Sequence, residues 1–429
     1  MRYICLFIFL SFNNIAISQA RTDLFLQNML STNHENILQQ VLKDPNTYRL
    51  QIIYTQINRD KNNRPSFKNY YFHFDPLLYF NPASMVKLPL AALALEKFNK
   101  MHIEGVDKYT SIQYDSSYMG QSPEYIDSSS ENGLPSIAHF IKKVFLVSDN
   151  NAYNRLYEFI GQQTINKNLH DKGYNDIRIT RQFRPFNADQ NRHSNQVRFI
   201  DQNKNNIYTQ ATTFNTDSFH FPASIKIGKG HYNGNDSLIN EPMDFTTHND
   251  VSLEDFQQVL QSVLFPASVA GKQRFMLTDD DRQLLYRYMS QYPSETNYPK
   301  YDSNKYYDSY VKFFFKDSTH KIPADIRVFN KVGWSYGFLT DVSYIADFKN
   351  KIEFMLSATL YVNSDGILND DKYDYETIGY PFMHQLGQTL YQYELKRKKN
   401  YQPDLSQFKM TYKKQDGSNT RPAIKQIDN

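Results

Sequence analysis

The segment Ser84-Met85-Val86-Lys87 spaces a serine and a lysine so that they could act together. On a helix, residues i and i+3 lie on the same face, so the Ser84 hydroxyl and the Lys87 amine can touch. A serine hydroxyl becomes a strong nucleophile when a neighbouring base removes its proton, and a lysine can be that base when burial lowers its pKa. Taken alone, a Ser-x-x-Lys pair also fits an ordinary capped surface helix, so it needs support from elsewhere in the chain.

Two later motifs could supply the rest of such a site. Ser148-Asp149-Asn150 lies between two predicted helices, where the serine could relay a proton to a leaving group and the asparagine could hold a substrate carbonyl. These residue types are also common helix caps. Lys331-Val332-Gly333 ends a predicted strand. The lysine could bind a carboxylate or support a proton shuttle, and Gly333 would let a substrate backbone lie against the strand edge.

The elements that must position these motifs follow from hydrophobic periodicity and turn residues. Pro82 favours a turn just before the helix that carries Ser84. The N- and C-terminal strands could complete one sheet between them, with the middle of the chain forming a helical lobe. We expect helices at 24–43, 84–98, 137–147, 151–160, 252–264, 278–291 and 375–398, and strands at 49–55, 69–74, 326–331, 339–347 and 352–361.

Together, in this order and in these contexts, the three motifs resemble the signature of the class A β-lactamase and penicillin-binding-protein family of serine hydrolases. The flanking segments 80–89, 147–152 and 327–333 strengthen the likeness. The resemblance covers roughly residues 50–395, with 187–247 matching poorly. It implies an α/β (α+β) fold of the serine β-lactamase or DD-peptidase type, in which an antiparallel sheet is flanked by helices and joined to a helical lobe.

The resemblance also implies roles for individual residues. Ser84 would attack an acyl carbonyl and form an acyl-enzyme, with Lys87 as its base or proton relay. Ser148 would pass a proton to the departing group, and Lys331 would anchor a substrate carboxylate and support Ser148. The substrate-binding residues would be Asn150, Gly333, Trp334 and Ser335.

Within that binding group, Asn150 would position the substrate and Lys87. The backbone N–H of Trp334 or Ser335 would complete an oxyanion hole with the N–H of Ser84. The resemblance implies no cofactor, and no metal-ligand spacing stands out among the 11 His residues.

Two positions depart from the family pattern. The glutamate that activates the deacylating water in class A β-lactamases falls on Phe183, within the segment 181–187, and a phenyl ring cannot act as a base. The middle residue of the third motif is Val332 rather than Thr or Ser, which removes a hydroxyl that would bind a carboxylate. The missing base could be replaced by one of three loop residues, Asp189, His193 or His248, although each is also plausible as a plain loop residue.

These departures leave three hypotheses open. The first is a hydrolase of small-molecule or peptide acyl substrates, with β-lactams at most poor substrates. The second is an acyltransferase, because an acyl-enzyme without a water-activating glutamate could last until an alcohol or amine takes the acyl group. The third is a non-catalytic binding protein on the same fold, against which the intact Ser84, Lys87, Ser148 and Lys331 argue.

Composition and the chain ends predict an exported protein. The formal charge is only +3 and basic residues are interleaved with acidic ones, so nucleic acid is not an expected partner. Residues 1–20 read as a secretory signal, and we therefore expect a periplasmic protein with no transmembrane segment after signal removal. The only cysteine, Cys5, lies within that signal, so disulfides are not expected.

The rest of the chain divides into a hydrolase domain and a tail. We expect one domain over 21–400, in which 187–247 is a long insertion or lid whose aromatic residues either line an apolar pocket or simply pack beneath the loop. Residues 401–429 form a polar tail that we expect to be mobile. The sequence leaves the oligomeric state open.

Overall fold

The computed structural model describes residues 20–427, so the predicted signal peptide, apart from Ala20, lies outside the described residues. The helices are α1 (Leu24–Ser31), α2 (Asn36–Lys43), α3 (Lys87–Met101), α4 (Ile137–Leu146), α5 (Asn150–Ile160), α6 (Gln162–Asp171), α7 (Leu253–Leu264), α8 (Asp279–Ser290) and α9 (Tyr380–Lys396). The longer strands are β1 (Gln51–Arg59), β2 (Pro65–Phe72), β12 (Ile326–Ser335), β13 (Phe338–Asp347) and β14 (Ile352–Tyr361). The short strands are β3 (Ser111–Tyr114), β4 (His193–Ser194), β5 (Val197–Ile200), β6 (Asn206–Gln210), β7 (Thr213–Phe214), β8 (Lys226–Ile227), β9 (Gly230–Tyr232), β10 (Leu238–Ile239), β11 (Met243–Asp244) and β15 (Ile367–Leu368).

A five-stranded antiparallel sheet, in the order β12-β13-β14-β1-β2, runs through the centre of the molecule. Strand β1 pairs with β14 so that Gln51 lies opposite Thr359, and the two ends of the chain therefore meet in one sheet. The predicted architecture of an antiparallel sheet flanked by helices, with a helical lobe, is confirmed.

Both faces of the sheet are buried, because successive side chains of a strand point to opposite sides. In β1, Ile53 and Ile57 join the core shared with the helical lobe, whereas Ile52 and Tyr54 join the core formed with α1, α2 and α9. The molecule thus has three layers. This explains why nearly every residue of β1, β13 and β14 is buried, instead of every second residue.

Helix α3 lies in the interior, and residues 87–96 of it are all buried. A helix that is apolar on every side is stable only when other elements surround it. Here α5, α7 and α8 pack around it. The interior position of α3 fixes the turn that precedes it, and that turn carries Ser84.

Two regions differ from the sequence prediction. Residues 187–247 contain short strands and one 3₁₀ turn, which their polar composition does not reveal, and β9 of this insertion pairs in parallel with β15. The tail after residue 400 was expected to be mobile, but Leu405 and Phe408 are buried in the main core. Tyr301 also forms a β-bridge with Ile424. The tail therefore packs onto the body of the protein.

The helices described between residues 20 and 427 include none that is both long and apolar enough to cross a bilayer.

Candidate active site

Ser84 lies in a 3₁₀ turn, Ala83–Val86, immediately before α3. The Asn81 side chain accepts a hydrogen bond from the Ala83 N–H at 3.0 Å, and the Met85 N–H donates to the Pro82 carbonyl at 2.9 Å. Ala83 has φ +44°, a left-handed conformation that costs a residue with a Cβ on the order of 1 kcal/mol or more. Such strain persists only where the surroundings enforce it, and here the turn leaves Ser84 partly exposed above buried neighbours.

The Lys87 amine is fully buried directly below Ser84. Its Nζ lies 2.7 Å from Ser84 Oγ, 2.7 Å from Asn150 Oδ1 and 3.2 Å from Ser148 Oγ, and it also contacts the Ser148 carbonyl. The predicted i, i+3 contact is present in the structure. It joins the first motif to the second.

Burial lowers the pKa of Lys87 well below the usual lysine value, with the Asp149 carboxylate opposing the shift. Desolvation disfavours the charged form of an amine, so burial favours the neutral form of Lys87. A neutral amine has a lone pair that can accept the Ser84 proton. The geometry and the protonation state therefore both suit a general base.

Ser148 connects the two buried lysines. It has φ +64°, a left-handed conformation rare for serine. Its Oγ lies 2.9 Å from Lys331 Nζ and 3.2 Å from Lys87 Nζ. A continuous path of hydrogen-bonding groups thus runs from Ser84 through Lys87 and Ser148 to Lys331.

Lys331 faces Ser148 instead of the cavity. It is 2% exposed, and its second hydrogen bond goes to the Val332 carbonyl at 2.8 Å. Burial, and next the positive charge of Lys87, lower the pKa of Lys331 well below its usual value. The expected support of Ser148 fits this placement, whereas the expected anchoring of a substrate carboxylate does not, because Lys331 lines neither cavity at Ser84 and its amine is engaged by Ser148 and Val332.

The second motif is held by ion pairs and a helix cap. Asp149 accepts a hydrogen bond from the Ala152 N–H at 2.8 Å and caps α5. The Lys143 amine lies 3.5 Å from Asp149 and 3.2 Å from Asp127. One loop therefore does both things: it caps α5, as considered from the sequence, and it positions Ser148 and Asn150.

Gly333 has a different role from the one expected. A Cβ at this position would lie 2.3 Å from the Pro82 carbonyl oxygen and 3.1 Å from the Met85 nitrogen. The missing side chain makes room for the Ser84 turn, not for a substrate backbone. Gly333 therefore allows β12 to approach the nucleophile closely.

Ser84 opens into two adjoining cavities of about 460 and 420 Å³. Both are lined by Ser84, Asn150, Trp334 and Ser335, as expected for residues that contact a substrate. The cavity lining thus places Trp334 and Ser335 next to Ser84.

Phe183 lies beside the buried amine of Lys87. The centroid of its ring is 5.1 Å from Lys87 Nζ and 4.4 Å from the Tyr153 ring. Its backbone is fixed by Asn154, which accepts the Phe183 N–H at 2.8 Å. An aromatic ring, not a carboxylate, therefore covers this side of Lys87.

Of the three suggested replacement bases, His248 lines the 460 Å³ cavity. Burial, and next the Arg181 charge, lower the pKa of His248 to about 3, so its imidazole is neutral at physiological pH. His193 stacks on Tyr118 at 3.5 Å, and Asp189 accepts a hydrogen bond from the same tyrosine. Neither of those two lines the cavities at Ser84.

Sequence reasoning did not single out Gln182, Asn249 or Tyr336, which also line the 460 Å³ cavity, and it noted Arg181 only as part of a loop pattern. Arg181 and Gln182 immediately precede Phe183, and Tyr336 follows the third motif, so proximity in sequence was the available signal. In residues 20–427, no group of three or more His, Cys, Asp or Glu side chains is placed to hold a metal ion.

The chain matches one family model, described as the β-lactamase enzyme family, over residues 19–215. This segment includes Ser84, Lys87 and Ser148 but ends before Lys331. The family match therefore does not include Lys331, and the contact of its amine with Ser148 is what places it in the site. No curated protein matches the chain.

Several solved structures are similar at low identity. An ancestral class A β-lactamase of Gram-negative bacteria is 14% identical with a TM-score of 0.45, over 83% of this chain and 100% of that one. β-Lactamases from Francisella tularensis (16% identity, TM-score 0.47, 82% and 97% covered) and Xanthomonas campestris pv. campestris (13%, 0.47, 85% and 97%) are also similar. With the match over residues 19–215, the predicted resemblance is confirmed: this chain resembles the β-lactamase family of serine hydrolases.

Proposed function

We propose that the protein is a serine hydrolase of small-molecule or peptide acyl substrates that works through an acyl-enzyme on Ser84. The observation that carries the proposal is the 2.7 Å contact between Ser84 Oγ and a fully buried lysine amine. Few structural reasons exist for burying a lysine against a partly exposed serine, because burial of an amine costs free energy.

In the acylation step, Ser84 Oγ bonds to the substrate carbonyl carbon while its proton moves to Lys87 Nζ. The carbonyl oxygen becomes an oxyanion, which the N–H groups of Ser84 and of Trp334 or Ser335 stabilise. The bond to the leaving group then breaks, and the leaving group takes a proton from Ser148. Ser148 recovers a proton from Lys87, which held the one from Ser84.

Three side chains argue that β-lactams are at most poor substrates. Phe183 lies against Lys87 and offers no base for a deacylating water. Val332 offers no hydroxyl, and Lys331 is screened from the cavity, so the usual binding of a β-lactam carboxylate is weakened. We therefore propose an ester, amide or peptide as the main substrate class.

Intact-protein mass spectrometry tests the acyl-enzyme directly. The protein is incubated with a penicillin and with simple activated esters, and the mass of the chain is followed with time. We expect an acyl adduct on the wild type and none on Ser84→Ala. Ser224→Ala is the matched control, because Ser224 is an exposed serine that lines neither cavity, and we expect that variant to form the adduct.

Other outcomes would overturn parts of the proposal. Absence of an adduct and of turnover with every probe would favour a non-catalytic binding protein. Fast penicillin turnover without an adduct would show that Phe183 does not limit deacylation. Adduct formation on Ser84→Ala would assign the nucleophile elsewhere.

Acyl transfer is the second candidate, favoured by the lining of the 460 Å³ cavity. No Asp or Glu side chain is among its described lining residues. The acyl-enzyme would then persist until an alcohol or amine attacks it. Adding such acceptors to the adducted protein should speed adduct loss and yield acylated acceptor, whereas a hydrolase would release the free acid at an unchanged rate.

We also propose that the protein is exported to the periplasm with cleavage after Ala20. The support is the apolar stretch of residues 4–12 followed by the small residues Ser18 and Ala20. N-terminal sequencing of the protein recovered from a periplasmic extract should give Arg21 as the first residue. Recovery of the full-length chain in the cytoplasmic fraction would contradict export.

A further inference from the structure

The cavity beside Ser84 is lined by Arg181, whose guanidinium forms no ion pair with a carboxylate of residues 20–427. Arg181 lines both this cavity and a neighbouring one of about 360 Å³. Its sequence neighbours are paired: Arg178 with Asp250 and Arg184 with Glu158, each at 3.1 Å. In the part of the chain that the structure describes, no carboxylate lies within 4.0 Å of the Arg181 guanidinium.

The adjacent Gln182 is also unusual. Its side chain is 1% exposed and lines the same cavity, yet neither its Oε1 nor its Nε2 has a hydrogen-bond partner among residues 20–427. A buried amide without partners costs roughly 1–3 kcal/mol. A polar ligand group in the cavity would supply those partners.

The backbone that carries both residues is rigidly held. Three buried asparagines accept its N–H groups: Asn249 from Arg181 at 3.1 Å, Asn191 from Gln182 at 2.7 Å and Asn154 from Phe183 at 2.8 Å. All three asparagines are at most 3% exposed. This support means that little further order is needed when a ligand binds.

The surroundings favour an anion. His248 is uncharged at neutral pH and Tyr336 is a phenol, so neither competes for the guanidinium. A planar guanidinium matches the two oxygens of a carboxylate.

We propose that Arg181 and Gln182 bind a carboxylate of the substrate, and thereby select acyl substrates that carry a negative charge near the reacting carbonyl. This inference rests on the proposed acyl-enzyme function. It replaces Lys331, which is buried away from the cavity, as the residue that recognises a carboxylate.

Two activated esters of matched length test the selectivity. The probes are the para-nitrophenyl monoester of glutarate, which carries a free carboxylate, and para-nitrophenyl pentanoate, which does not. We expect the wild type to prefer the glutarate ester, and Arg181→Gln to reduce kcat/KM for that ester by about tenfold or more while changing the pentanoate ester less than about threefold. Arg181→Lys should recover part of the preference because it retains the charge.

Two further variants separate local recognition from general effects. Lys226→Gln removes the same charge from an exposed site outside the cavity and should leave the preference unchanged. Gln182→Leu should weaken the preference without lowering the melting temperature, because it removes a buried amide that lacks protein partners. An equal loss for both esters in Arg181→Gln, or no loss for either, would overturn the proposal.

Binding to Ser84→Ala distinguishes failure of this inference from failure of the acyl-enzyme. Glutarate is titrated into Ser84→Ala and into Ser84→Ala with Arg181→Gln, and binding is followed by calorimetry. Glutarate binding that requires Arg181 supports the carboxylate site. This holds even if neither ester acylates the wild type, because a failure of acylation counts only against the proposed acyl-enzyme function. Equal binding or no binding in both proteins would overturn the carboxylate site.

Discussion

Lys87 combines complete burial with a position next to Ser84, the proposed nucleophile. The unfolded chain binds a proton at this lysine below about pH 10.5, whereas the folded chain does so only at a lower pH, because burial lowers the folded-state pKa. The unfolded state therefore binds more protons in this window, and folding is destabilised by the buried amine at neutral pH. The protein tolerates that cost at the position where a neutral amine is chemically useful.

Replacing Lys87 with an uncharged residue should lower the activity of the protein and raise its stability. We expect Lys87→Met to slow acylation of Ser84 by about 10²–10⁴-fold, the usual contribution of a general base, and to raise the free energy of unfolding at pH 7. In the wild type, the acylation rate should fall as pH drops through the folded-state pKa of Lys87, because protonation removes the base. Stopped-flow release of para-nitrophenol across a pH series, together with urea unfolding, measures both effects.

Lys97→Met is the control for this change. Burial lowers the pKa of Lys97 to about 8, but its amine contacts Gln210, not Ser84. The acylation rate of the Lys97→Met variant should match that of the wild type. An unimpaired Lys87→Met variant would mean that another group removes the proton.

At the level of residues, sequence spacing predicted Ser84, Lys87, Ser148 and Asn150 because a short motif fixes which side chains can meet. It could not predict the roles of Arg181 and Gln182. Whether an arginine is free depends on which carboxylates its neighbours Arg178 and Arg184 occupy, and those pairings are set by the tertiary fold.

At the level of elements, the site depends on the close packing of β12 against the turn before α3. The strand can approach because Gly333 has no side chain. Ser84, on the turn, and Lys331, on the strand, are thereby held on either side of Ser148. A small increase in the distance between strand and turn would disturb all three positions.

Gly333→Ala should disrupt this contact. The new Cβ would lie 2.3 Å from the Pro82 carbonyl oxygen, so the turn must move. We expect a loss of about 1–3 kcal/mol in the free energy of unfolding and a larger relative loss in acylation rate. Gly234→Ala is the control, since no atom lies within 4 Å of its added Cβ, and it should be silent. Equal behaviour of the two variants in thermal denaturation would contradict tight packing at Gly333.

Periodicity predicted the long elements well and the short ones poorly. The strands β13 and β14 and the helices α4, α5, α7 and α8 begin and end within one or two residues of their predicted bounds. The predicted helix 24–43 is instead two helices, α1 and α2. Helix α6 was missed, because Ile165 and Leu169 are its only apolar residues. Such elements are determined by packing against neighbouring elements and not by the apolar periodicity of their own sequence.

At the scale of the whole molecule, the tail is part of the fold. The Phe408 ring lies 4.8 Å from that of Tyr344, 5.3 Å from those of Phe265 and Tyr286, and 5.5 Å from that of Phe329. Polar composition suggested a mobile segment. One aromatic residue packed against the core is enough to hold the segment in place, even though the residues around it are polar on average.

Phe408→Ala should therefore destabilise the whole protein. Removing a fully buried phenyl ring costs about 3–5 kcal/mol, which should appear as a lower urea midpoint with an unchanged slope. Tyr401→Ala, in the same segment but 48% exposed, should change the midpoint little. If both variants unfold like the wild type, the tail does not contribute to stability.

The pairing of residue 51 with residue 359 has a consequence for biosynthesis. While the nascent chain emerges from the ribosome, β1 and β2 can form only a hairpin, since the neighbour that completes the sheet is made almost last. Ser84 and Lys87 are synthesised early, yet the sheet that supports them is incomplete until β14 has emerged. A chain that still lacks β14 exposes the unpaired edge of β1, which can pair with other chains until β14 covers it.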